Sequence, residues 1–238
     1  MGVTNKAGDS IETENANWSF GGDVPNTFDS HVSRSVPLYN EGHELILKLA
    51  DYFLHNDSVC YDLGCSTGEL IRKITEHTNK DIKFIGVDCE NSMLNKARGK
   101  SYGKHNVDFI EGDLENIELE KSDLIICYYT IQFIPPKYRQ QLIDTIYESL
   151  NWGGAFILFE KVRAPDSRFQ DIMTGVYTDY KLDQGYNAEE IINKSRSLKG
   201  ILEPFSLKGN TDLLERAGFV DYMSVSKYIS FEGILAIK

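Results

Sequence analysis

"VCYDLGCSTGEL", Val59 to Leu70, decides how this chain is read. An apolar run ends in Asp62-Leu63-Gly64, and Cys65, Ser66, Thr67 and Gly68 then lead into a segment of helical period. A strand that turns into a helix through small residues brings backbone close to a ligand at the carboxyl edge of a parallel sheet. The turn is not the dinucleotide fingerprint G-x-G-x-x-G, because its second glycine falls four residues after the first and Ser66 holds the middle place. A plain structural turn is the competing reading.

Outward from that turn, apolar runs of strand length alternate with helical segments, as in a doubly wound α/β fold. Strands are expected at Val59–Leu63, Phe84–Asp88, Val107–Glu111, Leu124–Tyr128 and Phe156–Glu160. Helices are expected over "TGELIRKITEH", "NSMLNKARGK" and "KYRQQLIDTIYESL", the last closed by "NWGG" at Asn151–Gly154. "EGHELILKLADYFL" carries Leu45, Ile46, Leu49 and Phe53 at helical spacing and is expected on the sheet edge. From Val162 to about Lys208 the chain is polar and rich in Tyr and Lys, and reads as an inserted helical lid. A helix "NTDLLERAGF" then leads to two β-like runs, "YMSVSKYISF" and "GILAIK", which pair antiparallel. Residues 1–40 read as an extension covering the site, and 41–238 as the domain.

Acceptor groups stand at three consecutive strand ends. Asp88 lies 88 − 64 = 24 residues beyond Gly64, where a carboxylate accepts both hydroxyls of a ribose. Glu111-Gly112-Asp113 ends the next strand and places Asp113 to accept from an amine such as that of adenine. Each carboxylate alone also suits a helix N-cap. Together they describe an adenosine site.

Lys+Arg 25 against Asp+Glu 36 gives a net charge of −11, the wrong sign for gathering phosphates, so direct nucleic-acid binding is not expected. No run approaches the ~20 apolar residues of a membrane span, and the polar start lacks a signal core or, with Lys6, the full myristoylation pattern at Gly2. A cytoplasmic protein is expected. Cys60, Cys65, Cys89 and Cys127 show no C-x-x-C spacing and read as reduced, buried residues rather than zinc ligands. No metal site is expected. Most of the histidines His31, His43, His55, His77 and His105 read as surface residues.

"YDLGCSTG", the "VD" ending the second strand, "EGDL" and the terminal antiparallel pair resemble the class I S-adenosylmethionine-dependent methyltransferases, whose seven-stranded sheet has a reversed last strand. "WSF", "RSVPLY", "TIQF", "GGA", "FEK" and "GYNAEEI" narrow the likeness to the carboxy-S-adenosylmethionine synthase group and its methyltransferase relatives. The resemblance implies Tyr39 over the cofactor's amino-acid end, Gly64, Cys65 and Ser66 beside it, Asp88 at the ribose, and Asp113 and Leu114 flanking the adenine, with Cys89 and Tyr128 also among the cofactor-binding residues. It also implies a homodimer. The synthases make carboxy-S-adenosylmethionine from S-adenosylmethionine and prephenate, in support of tRNA wobble-uridine modification. They hold the new carboxylate with an Arg in a K-R-[ST]-x-L stretch. Here "KSRSL" puts Ser195 on that position and Arg196 one place later, and Tyr128 stands where the synthases have Asn.

Both departures favour an S-adenosylmethionine-dependent methyltransferase acting on a small-molecule acceptor, with the synthase as alternative and a nonenzymatic adenosine-ligand protein as a third reading. Methyl transfer asks for in-line positioning, exclusion of water and sometimes a base. Tyr128, Glu160 and Arg196 are the candidate catalytic residues, Glu160 as a base if desolvated.

Overall fold

The computed structural model describes residues 5–8, 11–22 and 24–238; the reading at Gly2 lies outside them. A short antiparallel ribbon, β1 (Asn5–Lys6) and β2 (Glu12–Thr13), precedes α1 (Val24–Ser35) and α2 (Tyr39–Phe53). Then follow β3 (Ser58–Leu63), α3 (Glu69–His77), β4 (Ile82–Asp88), α4 (Asn91–Arg98) and β5 (Asn106–Glu111). The second half holds β6 (Ser122–Tyr128), α5 (Pro136–Ser149) and β7 (Leu150–Lys161). The segment expected as a lid holds α6 (Ser167–Asp183) and α7 (Ala188–Ser197), after which come α8 (Leu207–Ala217), β8 (Asp221–Tyr228) and β9 (Phe231–Ile237).

The seven main strands lie in the order β5-β4-β3-β6-β7-β9-β8, with β9 antiparallel to both neighbours. The order reverses at β3, so the turn that follows β3 opens at the switch point where α/β sheets bind ligands. Alternation assigns the faces. Tyr61, Ile125, Cys127, Phe156 and Leu158 pack beneath α5 and α8, whereas Cys60, Leu124, Ile126, Ile157 and Phe159 pack against α2, α3 and α4.

Several local expectations give way to tertiary structure. "NWGG" does not close the helix: α5 stops at Ser149, and Gly153 donates its N–H to Lys238 O at 2.9 Å while Lys238 N–H donates to Gly154 O at 3.0 Å. Those glycines therefore open β7, with Gly153 at φ 80°. Helix α2 lies on the sheet's face rather than its edge, burying Ile46 and Ala50, with Leu54, against Ile126 and Ile157. Helix α8 begins before Asn210 because the Ser206 hydroxyl accepts the Gly209 N–H at 3.0 Å. His31 and His43 are buried rather than superficial, and Cys89 is exposed while the other three cysteines are buried. No helix among the described residues is long and apolar enough to cross a membrane.

Candidate active site

Where β3 ends, Gly64 takes φ 81° and Ser66 φ 50°, and a Cβ at Gly64 would stand 2.4 Å from both Thr130 Oγ1 and Thr130 Cγ2. The bare backbone is thus packed from behind and open in front. Asp88, at the end of β4, holds this turn: its Oδ2 accepts the Ser66 N–H at 2.8 Å and its Oδ1 the Glu90 N–H at 2.9 Å. Burial raises its pKa against these two N–H groups. Asp113 caps the short turn Leu114–Asn116 by accepting the Glu115 N–H at 3.0 Å through Oδ1. Both carboxylates therefore cap local backbone and also line one cavity, of about 870 Å3, with Tyr39, Gly64, Cys65, Ser66, Cys89, Leu114 and Tyr128.

Asp62, one residue before the turn's Leu63, lines the same cavity and is 2 % exposed. Burial first, and then the Asp88 charge, pushes its pKa up to about 7. Motif spacing alone assigns Asp62 no role; period-two alternation, which puts it on the same strand face as Cys60, is the signal the sequence carries for it.

Tyr128 sits beneath Tyr39. Its hydroxyl donates to Tyr39 O at 2.5 Å, and a Cβ at Gly42 would meet that hydroxyl at 2.2 Å, so α2 carries glycine where it crosses the ring. The rings of Tyr39 and Tyr128 are 5.0 Å apart and those of Tyr128 and Tyr129 4.7 Å. Burial drives the phenol pKa values of all three upward, so they remain neutral.

Glu160 and Arg196 are placed away from the cavity wall. Alternation along β7 turns Lys161 toward the cavity and Glu160 to the opposite face, 2 % exposed, its Oε1 without a hydrogen-bond partner among the described residues. Burial pushes its pKa up to about 8, while Arg139 and the backbone N–H groups of Ile131 and Gln132 draw it down. Arg196 is exposed and outside the lining, whereas Ser195 lines the cavity.

The cavity wall is divided by charge. The ends of β3, β4 and β5 and the turns after them supply Asp62, Glu69, Asp88, Glu90, Asp113 and Glu115. From residue 161 onward the lining holds Lys161, Arg163, Lys181, Lys194 and Lys199 and no acidic residue. The N-terminal segment closes over both halves. Thr67 Oγ1 donates to Asp29 Oδ1 of α1 at 2.6 Å, and Ala16 and Trp18 donate backbone N–H groups to Arg196 O and Ser197 O of α7 at 3.0 and 3.2 Å.

A family model described as "Methyltransferase domain" matches residues 60–154. The chain is 39% identical to a carboxy-S-adenosyl-L-methionine synthase of Campylobacter lari, over 93% of this chain and 94% of that protein. It is 35% identical to one of Staphylococcus epidermidis, over 93% and 97%. Among solved structures it is similar to the plantazolicin methyltransferase BpumL, with TM-score 0.65, 15% identity and 91% of each chain covered. It is also similar to human N-acetylserotonin methyltransferase, with TM-score 0.57, 18% identity, and 93% of this chain and 60% of that one covered. The methyltransferase fold is shared with these structures, and at such identity over nearly its whole length the chain belongs to the carboxy-S-adenosyl-L-methionine synthase family.

Proposed function

We infer that this S-adenosylmethionine-dependent transferase is a carboxy-S-adenosylmethionine synthase, in which the ring carboxylate of prephenate passes as CO2 to the methyl carbon of S-adenosylmethionine in place of one methyl proton, that proton and the ring hydroxide leave as water, and phenylpyruvate is the other product. The observation that carries this reading is the charge division of the cavity. A sulfonium, an ammonium, ribose hydroxyls and an adenine amine all suit the acidic half. A dicarboxylate suits the basic half, which has no use for a neutral acceptor. The cofactor fits the residues present. Asp88 would take the ribose, Asp113 the adenine and Asp62 the ammonium, against a Gly64 backbone that a side chain would block.

The test is incubation with S-adenosylmethionine and prephenate, followed by mass spectrometry of the nucleoside product. The expected product is heavier than S-adenosylmethionine by one carboxylate. Its absence overturns the reading in favour of methyl transfer to a small-molecule acceptor, which Ser195 and Tyr128 favour.

Asp62 gives this site a pH dependence whose sign is fixed. A carboxyl group with a pKa of about 7 must lose its proton to receive an ammonium group, so S-adenosylmethionine affinity should rise as pH climbs from about 6 through 7, until the ligand's own ammonium group begins to lose its proton at about pH 8. Titration calorimetry across that range measures it. Asp62→Asn should bind more weakly and with a flat profile; a wild-type profile retained in this variant assigns the titration to another group.

A further inference from the structure

The five cations on the lid side of the cavity differ in what they already touch. Arg163 and Lys199 are exposed, and Arg163 Nε donates to Pro204 O at 3.2 Å. Lys194 is engaged with the N-terminal segment: its Nζ meets His31 Nε2, lies 2.9 Å from Ser35 Oγ and stands 5.1 Å from the Trp18 ring.

Lys161 and Lys181 are of another kind. They come from β7 and α6, both line the cavity, and their ammonium groups stand 4.4 and 4.6 Å from the centroid of one ring, that of Tyr177. Lys161 also lies 5.7 Å from the Phe231 ring, and Lys181 is 8 % exposed. That shared ring is fixed, because Tyr177 Oη donates to Ser35 O at 2.7 Å. Among the described residues neither lysine has a carboxylate partner. Burial pushes both lysines down to about 8, and Lys181, Lys199 and Arg163 push Lys161 the same way. Aromatic faces offset part of the cost of burying an ammonium group, but two like charges on one wall are stabilised far better by an anion that reaches both. Meanwhile Ser195 brings no charge to the lid position where the resembling synthases carry arginine, and Arg196 lies outside the cavity.

We propose that Lys161 and Lys181 form the anion subsite of this protein, gripping one carboxylate of the second substrate beside Tyr177. The proposal rests on the anionic second substrate inferred above. In this chain the carboxylate is then read from β7 and α6 rather than from α7.

The experiment is titration of prephenate into protein saturated with S-adenosylhomocysteine, which has no methyl group to react. Lys161→Met and Lys181→Met keep an apolar stem of similar length without the charge, and thermal melts verify their folding. Each should weaken prephenate by about tenfold or more, while Lys161→Arg and Lys181→Arg stay near wild type and S-adenosylmethionine affinity changes by less than about threefold. Prephenate affinity unchanged in both methionine variants overturns the subsite, even if the wild type forms carboxylated product. Prephenate bound through these lysines without any carboxylated product supports the subsite and overturns the synthase reading. A wild-type protein that does not bind prephenate at all overturns both.

Discussion

Asp88→Ala is expected to lower S-adenosylmethionine affinity by about 3 kcal/mol, on the order of a hundredfold, because it removes two functions at once. The carboxylate would accept the ribose hydroxyls, and it already accepts the Ser66 and Glu90 N–H groups that shape the adjoining turns. An alanine leaves those donors without their charged acceptor. Asp88→Asn separates the two functions, since an amide retains one acceptor oxygen and no charge. It should bind with intermediate affinity in calorimetry. An alanine variant within about threefold of wild type would remove Asp88 from the ribose.

Gly64→Ala should be nearly as damaging, and through backbone and packing rather than charge. At φ 81° an L residue is strained by about 1–2 kcal/mol, and the new Cβ would stand 2.4 Å from two Thr130 atoms, an overpacking of about 1–3 kcal/mol more. The melting temperature should fall by roughly 5–15 °C for a chain of this size, and cofactor affinity should fall with it. Adding Thr130→Ala removes the two closest atoms but leaves Thr130's own Cβ, 2.9 Å away, and the backbone strain untouched. The double variant should therefore recover part of the loss; full recovery would show that the conformation at Gly64 costs nothing.

The first three parallel strands were legible because each stops at an acid or a glycine, and those stops line the cavity: Asp62, Asp88 and Asp113 mark the ends of three strands or the turns just beyond. Misreadings occurred where distant chain decides. "NWGG" has the composition of a helix end, yet its glycines pair with Lys238, which no local window contains. His31 and His43 sit in polar sequence and are buried by rings from elsewhere, Tyr186 at 5.8 Å and Tyr128 at 4.7 Å. Glu160 was a different kind of miss, since period-two alternation after Phe159 already sends it away from the side that Lys161 faces. The pairing of Lys161 with Lys181 depends on how α6 returns over the sheet, and neither periodicity nor motif spacing encodes that.

The fastening of the N-terminal segment bears on kinetics. Helix α1 is tied to the glycine turn through Thr67 and Asp29, residues 16–18 are tied to α7, and the Phe20 ring stands 5.0 Å from the Phe133 ring beyond β6. A ligand filling the cavity lies under a roof anchored to both halves of the sheet and to the lid, so it leaves only when several of these ties release together. Residence time is then set by the opening rate of the roof more than by the ligand's own contacts. Cutting one tie, as in Asp29→Ala, should speed entry and escape alike, leaving the equilibrium constant less changed than either rate.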